Sequence, residues 1–190
     1  MLLGSGNLNQ NIDGLKKSNE EINKLTRESI QEALILLMSS QDLNSISVTD
    51  IANKAGVSRS AYYKNYQFKE EIIRDFLKRV YDTIMADVLL DELNDNPYKT
   101  FYSIFTAIKD NLKLIEQLIQ AKLKYPIHYL WKGKNNNYTK LEIFTLNCFE
   151  VSFTHLVKEW VEDKTTVSIE DIALLSTNLY PEIKLLSKKI

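Results

Sequence analysis

Apolar residues recur along this chain at three- and four-residue spacing, and strand-like alternation is scarce, so the pattern predicts an all-α protein. The first stripe is Ile22, Leu25, Ile30, Ala33, Leu34, Leu37 and Met38. It predicts a helix ending near Ser40 that starts at a capping box over Ser18–Glu21, with Thr26 as a second possible start. Residues 1–18 carry Gly4, Gly6, Gly14 and several Asn and read as a flexible lead-in. Ser47 and Asp50 form a second S-x-x-D box, opening a short helix over Val48–Ala55 that Gly56 ends. Ser58 caps a third helix, Arg59 to about Tyr66, and a fourth runs from about Lys69 to about Leu90.

After the break at "LNDNPYK", residues 97–120 predict one or two helices lined by Phe101, Phe105, Ile108, Leu112, Ile115 and Ile119. "KYPIHYLWKGKNNN" is irregular, and a long helix follows from about Thr139 to Asp163. A last helix starts after Ser168 with the box "SIED", and Pro181 kinks or restarts it. The expected organisation is a lead-in (1–18), a helix-turn-helix unit (19–75) and a helical C-terminal domain (76–190).

Composition adds bounds. The 190 residues are 44% hydrophobic and 26% charged, which is globular rather than disordered. The longest purely apolar run, "ALILLM", is too short to span a bilayer, and the N-terminus has no signal-peptide pattern. One cysteine, Cys148, excludes an intrachain disulfide and fits a reducing, cytoplasmic compartment. Net charge is −1, which argues against a general nucleic-acid coat. Its distribution is uneven. Between Ser47 and Lys69 the balance is +3, whereas from Tyr81 to Ile190 it is −2, so any polyanion contact is local to the first region.

That basic stretch, "SVTDIANKAGVSRSAYYKNYQFKEE", places two short helices around a three-residue turn containing glycine, the helix-turn-helix arrangement. Ile51 and Ala55 share a face, small Ala52 permits a close helix crossing, and Val57 fills the corner. Tyr62 and Tyr66, four apart, turn inward together. Arg59, Ser60, Tyr63 and Lys64 are left facing outward, where a DNA groove would meet them. Arg reads guanine edges, Ser adapts as donor or acceptor, and Tyr and Lys bind phosphate. Ser58 at the cap, Thr49 at the preceding helix and Lys69 at the following helix start complete the expected DNA contacts.

The run "VTDIANKAGVSRSAYYKNYQFKEEI" resembles the signature of the tetracycline-repressor (TetR) family of bacterial transcription regulators. Ile51, Ala52, Ala55, Gly56, Val57, Ser58, Tyr63, Lys69, Glu70 and Glu71 carry the match, which is strong over about residues 26–75. Ser60 and Ala61 stand where that family often has Gly and Thr, Tyr66 replaces the usual Phe, and Phe68 takes the usual cap position. The resemblance implies a homodimer that binds a palindromic double-stranded DNA operator as a repressor. It also implies release when a small molecule enters a C-terminal ligand-binding and dimerisation domain.

Elsewhere the chemistry is sparse. Cys148 and His155 share a helix face, as a nucleophile–base pair or two metal ligands would, but without a catalytic signature or further ligands. With Leu141, Phe144 and Val151 they read instead as an apolar stripe, here assigned to a dimer interface. A second stripe on the same helix, Leu146, Phe149, Phe153, Leu156, Val157 and Trp160, is expected to pack within the monomer. Phe101, Tyr102, Phe105, His128, Tyr129, Trp131 and Phe149 are the candidate walls of an apolar ligand pocket. Asp87, Asp91 and Glu92 read as a solvated helix end, and no cofactor or metal motif is found. Two readings remain beside the ligand-responsive regulator. One is a DNA-binding regulator whose C-terminal domain docks a protein. The other is a helical enzyme or carrier with a structural helix-turn-helix.

Overall fold

The structure, a computed structural model, describes residues 5–86, 88, 95–123 and 139–187, with side chains given from residue 14 to 180 except at 142 and 146. The fold is all-α: eight helices and one 3-10 turn, with no strand, among the described residues. The helices are α1 (Ser5–Met38), α2 (Val48–Ala55), α3 (Arg59–Asn65), α4 (Lys69–Met85), α5 (Pro97–Asp110), α6 (Leu112–Gln120), α7 (Lys140–Glu162) and α8 (Ile169–Ser187). The chain divides into two compact units, Met1–Asp75 and Phe76–Ile190, with the boundary inside α4. No helix among the described residues is long and apolar enough to cross a membrane.

In the first unit α1 packs against α2 and α3, which pack against each other. Ile30, Leu34, Ile46, Ile51, Tyr62 and Ile72 are fully or almost fully buried between them. Two expectations for α1 are corrected. The helix begins at Ser5 rather than near Ser18, so the Ser18–Glu21 box lies inside it. Leu15, Lys16, Lys17, Glu20 and Glu21 favour helix enough to carry it through Gly14, whose penalty is about 1 kcal/mol. Ile22 and Leu25, taken from the periodicity as the start of the core stripe, are exposed, and the buried face begins at Ile30.

In the second unit α5 packs on α8, α7 on α8, and α6 on both α5 and α7. Asn96 caps α5 by accepting the Lys99 N–H, with Pro97 at the first helical position. Ser168 caps α8: its hydroxyl accepts the Asp171 N–H at 3.1 Å and donates to the Asp171 carboxylate at 2.8 Å, so one half of the expected box is made. The α8 helix runs through Pro181 to Ser187.

Candidate nucleic-acid interface

The turn between α2 and α3 is built by local rules. At the start of α2 the Ser47 hydroxyl accepts the Asp50 N–H, and the Asp50 carboxylate accepts the Ser47 N–H at 3.0 Å. The hydroxyl and backbone N–H of Ser47 hold the Asp50 carboxyl below its ordinary pKa. At the other end Gly56 adopts φ +68°. The Val57 N–H reaches the Ala52 carbonyl and the Gly56 N–H the Asn53 carbonyl, a Schellman closure. Val57 then packs against the core, and Ser58 caps α3 by accepting the Ala61 N–H at 3.0 Å.

This locks the roll of α3. Tyr62 and Tyr66 are buried, with ring centroids 6.5 Å apart. Arg59, Ser60, Tyr63 and Lys64 lie on the exposed side of the same helix, and Thr49 and Ser58 are exposed beside it. Tyr63 stands edge-on to the Tyr62 ring at 5.4 Å, so its base is fixed while its hydroxyl end faces solvent.

Lys69 is placed differently from its neighbours. Its ammonium donates to the carbonyls of Leu43 and Ile46, in and beside the 3-10 turn that precedes α2. Two of its three N–H donors therefore tie the start of α4 to that turn, and one is left for any other partner. Phe68, at the position where a capping side chain is usual, is exposed and cannot cap α4. Glu71 does so from within the helix, accepting the N–H groups of Gln67 at 2.8 Å and Phe68 at 3.2 Å. Those two bonds hold its carboxyl below the ordinary pKa.

Behind α3 lies a polar network that no sequence motif announces. The Tyr66 hydroxyl accepts from the Gln31 amide at 3.1 Å and donates to the Asp75 carboxylate at 3.1 Å. Arg27 pairs with Asp75, donates to the Asn65 carbonyl at the end of α3, and lies 4.5 Å over the Tyr66 ring. Burial pushes the Tyr66 phenol up from its ordinary pKa, so it remains a donor near neutrality. The Tyr62 hydroxyl, equally buried, finds no hydrogen-bond partner among the described residues.

The candidate pocket residues fall into two groups. Phe101, Phe105 and Phe149 are buried in an aromatic cluster with Phe153 and Trp160, with neighbouring ring centroids 5.2–6.0 Å apart. Tyr102 is partly exposed, with its hydroxyl 3.5 Å from the Glu170 carboxylate. The three phenylalanines pack within this cluster, and Tyr102 stays partly open to solvent. His128, Tyr129 and Trp131 lie outside the described residues, as do Asp87, Asp91 and Glu92. A cleft of about 250 Å³ does open elsewhere, between α6 and α7, lined by Ile115, Leu118, Ile119, Leu123 and Val157 with Thr154, Lys122 and Lys158.

The two stripes of α7 have opposite fates. Phe149, Phe153, Val157 and Trp160 are buried, whereas Leu141, Phe144, Cys148, Val151 and His155 face solvent, Phe144 and Val151 being 68% and 69% exposed. The Leu146 side chain lies outside the described residues. Cys148 and His155 join no cluster of three metal-ligating side chains among the described residues.

No known protein family's sequence profile matches the chain. Two curated relatives are similar to it. One is an uncharacterised HTH-type transcriptional regulator of Bacillus subtilis, YxbF, 27% identical over 124 residues, or 63% of this chain and 30% of the relative. The chain thus spans less than a third of that protein's length. The other, an uncharacterised HTH-type transcriptional regulator of Haemophilus influenzae, is 24% identical over 169 residues, covering 82% of this chain and 88% of the relative. Among solved structures, the dihydroxyacetone kinase operon activator DhaS aligns over 86% of this chain and 98% of its own, at 21% identity and a TM-score of 0.40.

Proposed function

We propose that the chain is a DNA-binding transcriptional regulator and not an enzyme. The observation that carries this reading is the outward face of α3, where Arg59, Ser60, Tyr63 and Lys64 stand exposed on a helix whose roll two buried tyrosines fix. The two relatives named as HTH-type transcriptional regulators support it. Arg59 and Ser60, near the N-terminal end of α3, read base edges. Tyr63, Lys64, Thr49 and Ser58 hold phosphates, and the remaining N–H of Lys69 joins them. In its finer form the protein is a repressor of the tetracycline-repressor type. It binds a two-fold operator as a homodimer and leaves it when a small molecule binds the C-terminal unit. The exposed apolar stripe on α7 supports the dimer.

Selection of bound duplexes from a random pool tests the reading. The wild-type chain should enrich a two-fold sequence. Arg59→Ala should weaken binding to that sequence by about 1–3 kcal/mol while changing non-specific binding little. Lys64→Ala should weaken all duplexes alike and reduce the salt dependence. A double Arg59→Ala, Lys64→Ala variant that shifts the selected duplex as well as wild type would remove α3 from the interface.

A further inference from the structure

We propose that the cleft between α6 and α7 is the effector site, and that it takes a small amphipathic carboxylate; this rests on the ligand-release reading above. The walls are aliphatic: Ile115, Leu118, Ile119 and Leu123 from α6 and its end, and Val157 from α7. Among the described residues no ring and no carboxylate lines the cleft. The two charged groups on it are both cations, Lys122 and Lys158. Lys158 is already paired with Glu162 outside the lining, so Lys122 is the cation that gives this apolar trough its sign. It favours an anionic head, and it opposes an ammonium of equal length.

Local geometry sets these positions. The α6 helix ends in a Schellman closure, with the Leu123 N–H on the Leu118 carbonyl at 3.1 Å and the Lys122 N–H on the Ile119 carbonyl at 2.9 Å. The residue placed in the left-handed conformation there is Lys122, at φ +54°, where glycine is usual. Lys158 is oriented by Glu162 at 3.2 Å, and neither Glu162 nor Glu159 lines the cleft. Thr154 donates its hydroxyl proton to the Glu150 carbonyl, which leaves its oxygen to the cleft only as an acceptor. A carboxylate therefore has Lys122 as its partner, and Lys158 only in exchange for its contact with Glu162.

Size narrows the class. The cleft is open to solvent on one side, so its volume of about 250 Å³, roughly eight water volumes, sizes the part of a ligand that it covers, about eight to ten heavy atoms. A medium-chain fatty acid, or a monocyclic acid of that size, fits this description.

Calorimetric titration of the full chain without DNA, using octanoate, octanol and octylammonium, tests the site. Octanoate should bind tightest and octylammonium least. Lys122→Met, at an exposed position, should weaken octanoate about fivefold and leave octanol unchanged. Ile119→Trp, at a half-buried position, should abolish binding of both while the melting temperature stays near wild type. Equal affinity for octanoate and octanol, a preference for octylammonium, or octanoate binding indifferent to Ile119→Trp would each overturn the site. The regulator reading is judged separately, on the operator complex. Octanoate that binds as described but leaves that complex intact would leave a ligand site and defeat its role as the effector site. Release by another compound, unaffected by Ile119→Trp, would keep the ligand-release reading and defeat this cleft.

Discussion

Tyr62 and Tyr66 sit four residues apart in the same helix–helix contact, both buried, and they should respond oppositely to the same substitution. The Tyr66 hydroxyl joins the Gln31 amide to the Asp75 carboxylate. Tyr66→Phe leaves a buried amide donor without its acceptor, a loss of about 1–2 kcal/mol. Tyr62 has a buried hydroxyl with no partner among the described residues, so Tyr62→Phe should be neutral or stabilising by up to about 1 kcal/mol. Urea unfolding of both variants reads the difference. Equal losses would mean that the two hydroxyls are not differently satisfied. That both rings turn inward follows from their spacing and was legible in the sequence. The partners of Tyr66 were not. Gln31 and Asp75 lie 35 and 9 residues away, and Arg27 meets Asp75 across 48 residues, distances at which no local pattern operates.

The helices of the first unit are held at their ends by side chains whose work depends on charge. Asp50 and Glu71 both have lowered pKa values, the first through Ser47 and the second through the N–H groups of Gln67 and Phe68. A carboxylate depressed in the folded state stabilises it above the unfolded pKa, and that contribution is lost as pH falls through the folded value. The unfolded values are about 4, so the stability of this unit should decline on acidification from about pH 5 downward. Asp50→Asn and Glu71→Gln should each flatten the decline, measured as urea midpoints across pH; an unchanged profile in both would place the acid sensitivity elsewhere. The turn can be tested without charge. A Cβ at Gly56 would meet nothing within 4 Å, so the penalty of Gly56→Ala is conformational alone, about 1–2 kcal/mol from the left-handed φ. These caps and the glycine could be read from sequence because each acts within four residues. The start of α1 could not, since a helix and a polar lead-in draw on the same Asn, Lys and Glu residues. The second unit was harder again. Phe101, Phe105 and Phe149 suit a pocket wall and a core equally by type, and their ring partners are set by contacts between helices that no local pattern names.

At the scale of the whole molecule, assembly turns on what covers the exposed stripe of α7. Leu141, Phe144, Cys148, Val151 and His155 recur every three or four residues along one line of a helix whose other side is already buried. Single exposed apolar residues are ordinary on a surface, but a contiguous line of them is not. Leu174, Leu175 and Leu179 are also exposed on α8, which packs directly against α7. In the proposed dimer, two helices from each of two copies would make a four-helix contact about a two-fold axis. A dimer also suits the proposed function, because one recognition helix reads half a site and two-fold symmetry in the protein is matched by symmetry in the operator. Val151 is the residue to test. It is exposed in the single chain, so Val151→Glu removes nothing from the monomer core and should leave the monomer's unfolding free energy within about 0.5 kcal/mol. Across a dimer axis the same change places two like charges in an apolar seam. Light scattering at micromolar concentration should then report a dimer for wild type and a monomer for Val151→Glu, and the variant should lose the two-fold duplex while keeping weak non-specific binding. A wild-type monomer under those conditions, or a dimer indifferent to glutamate at this position, would take the α7 stripe out of the interface.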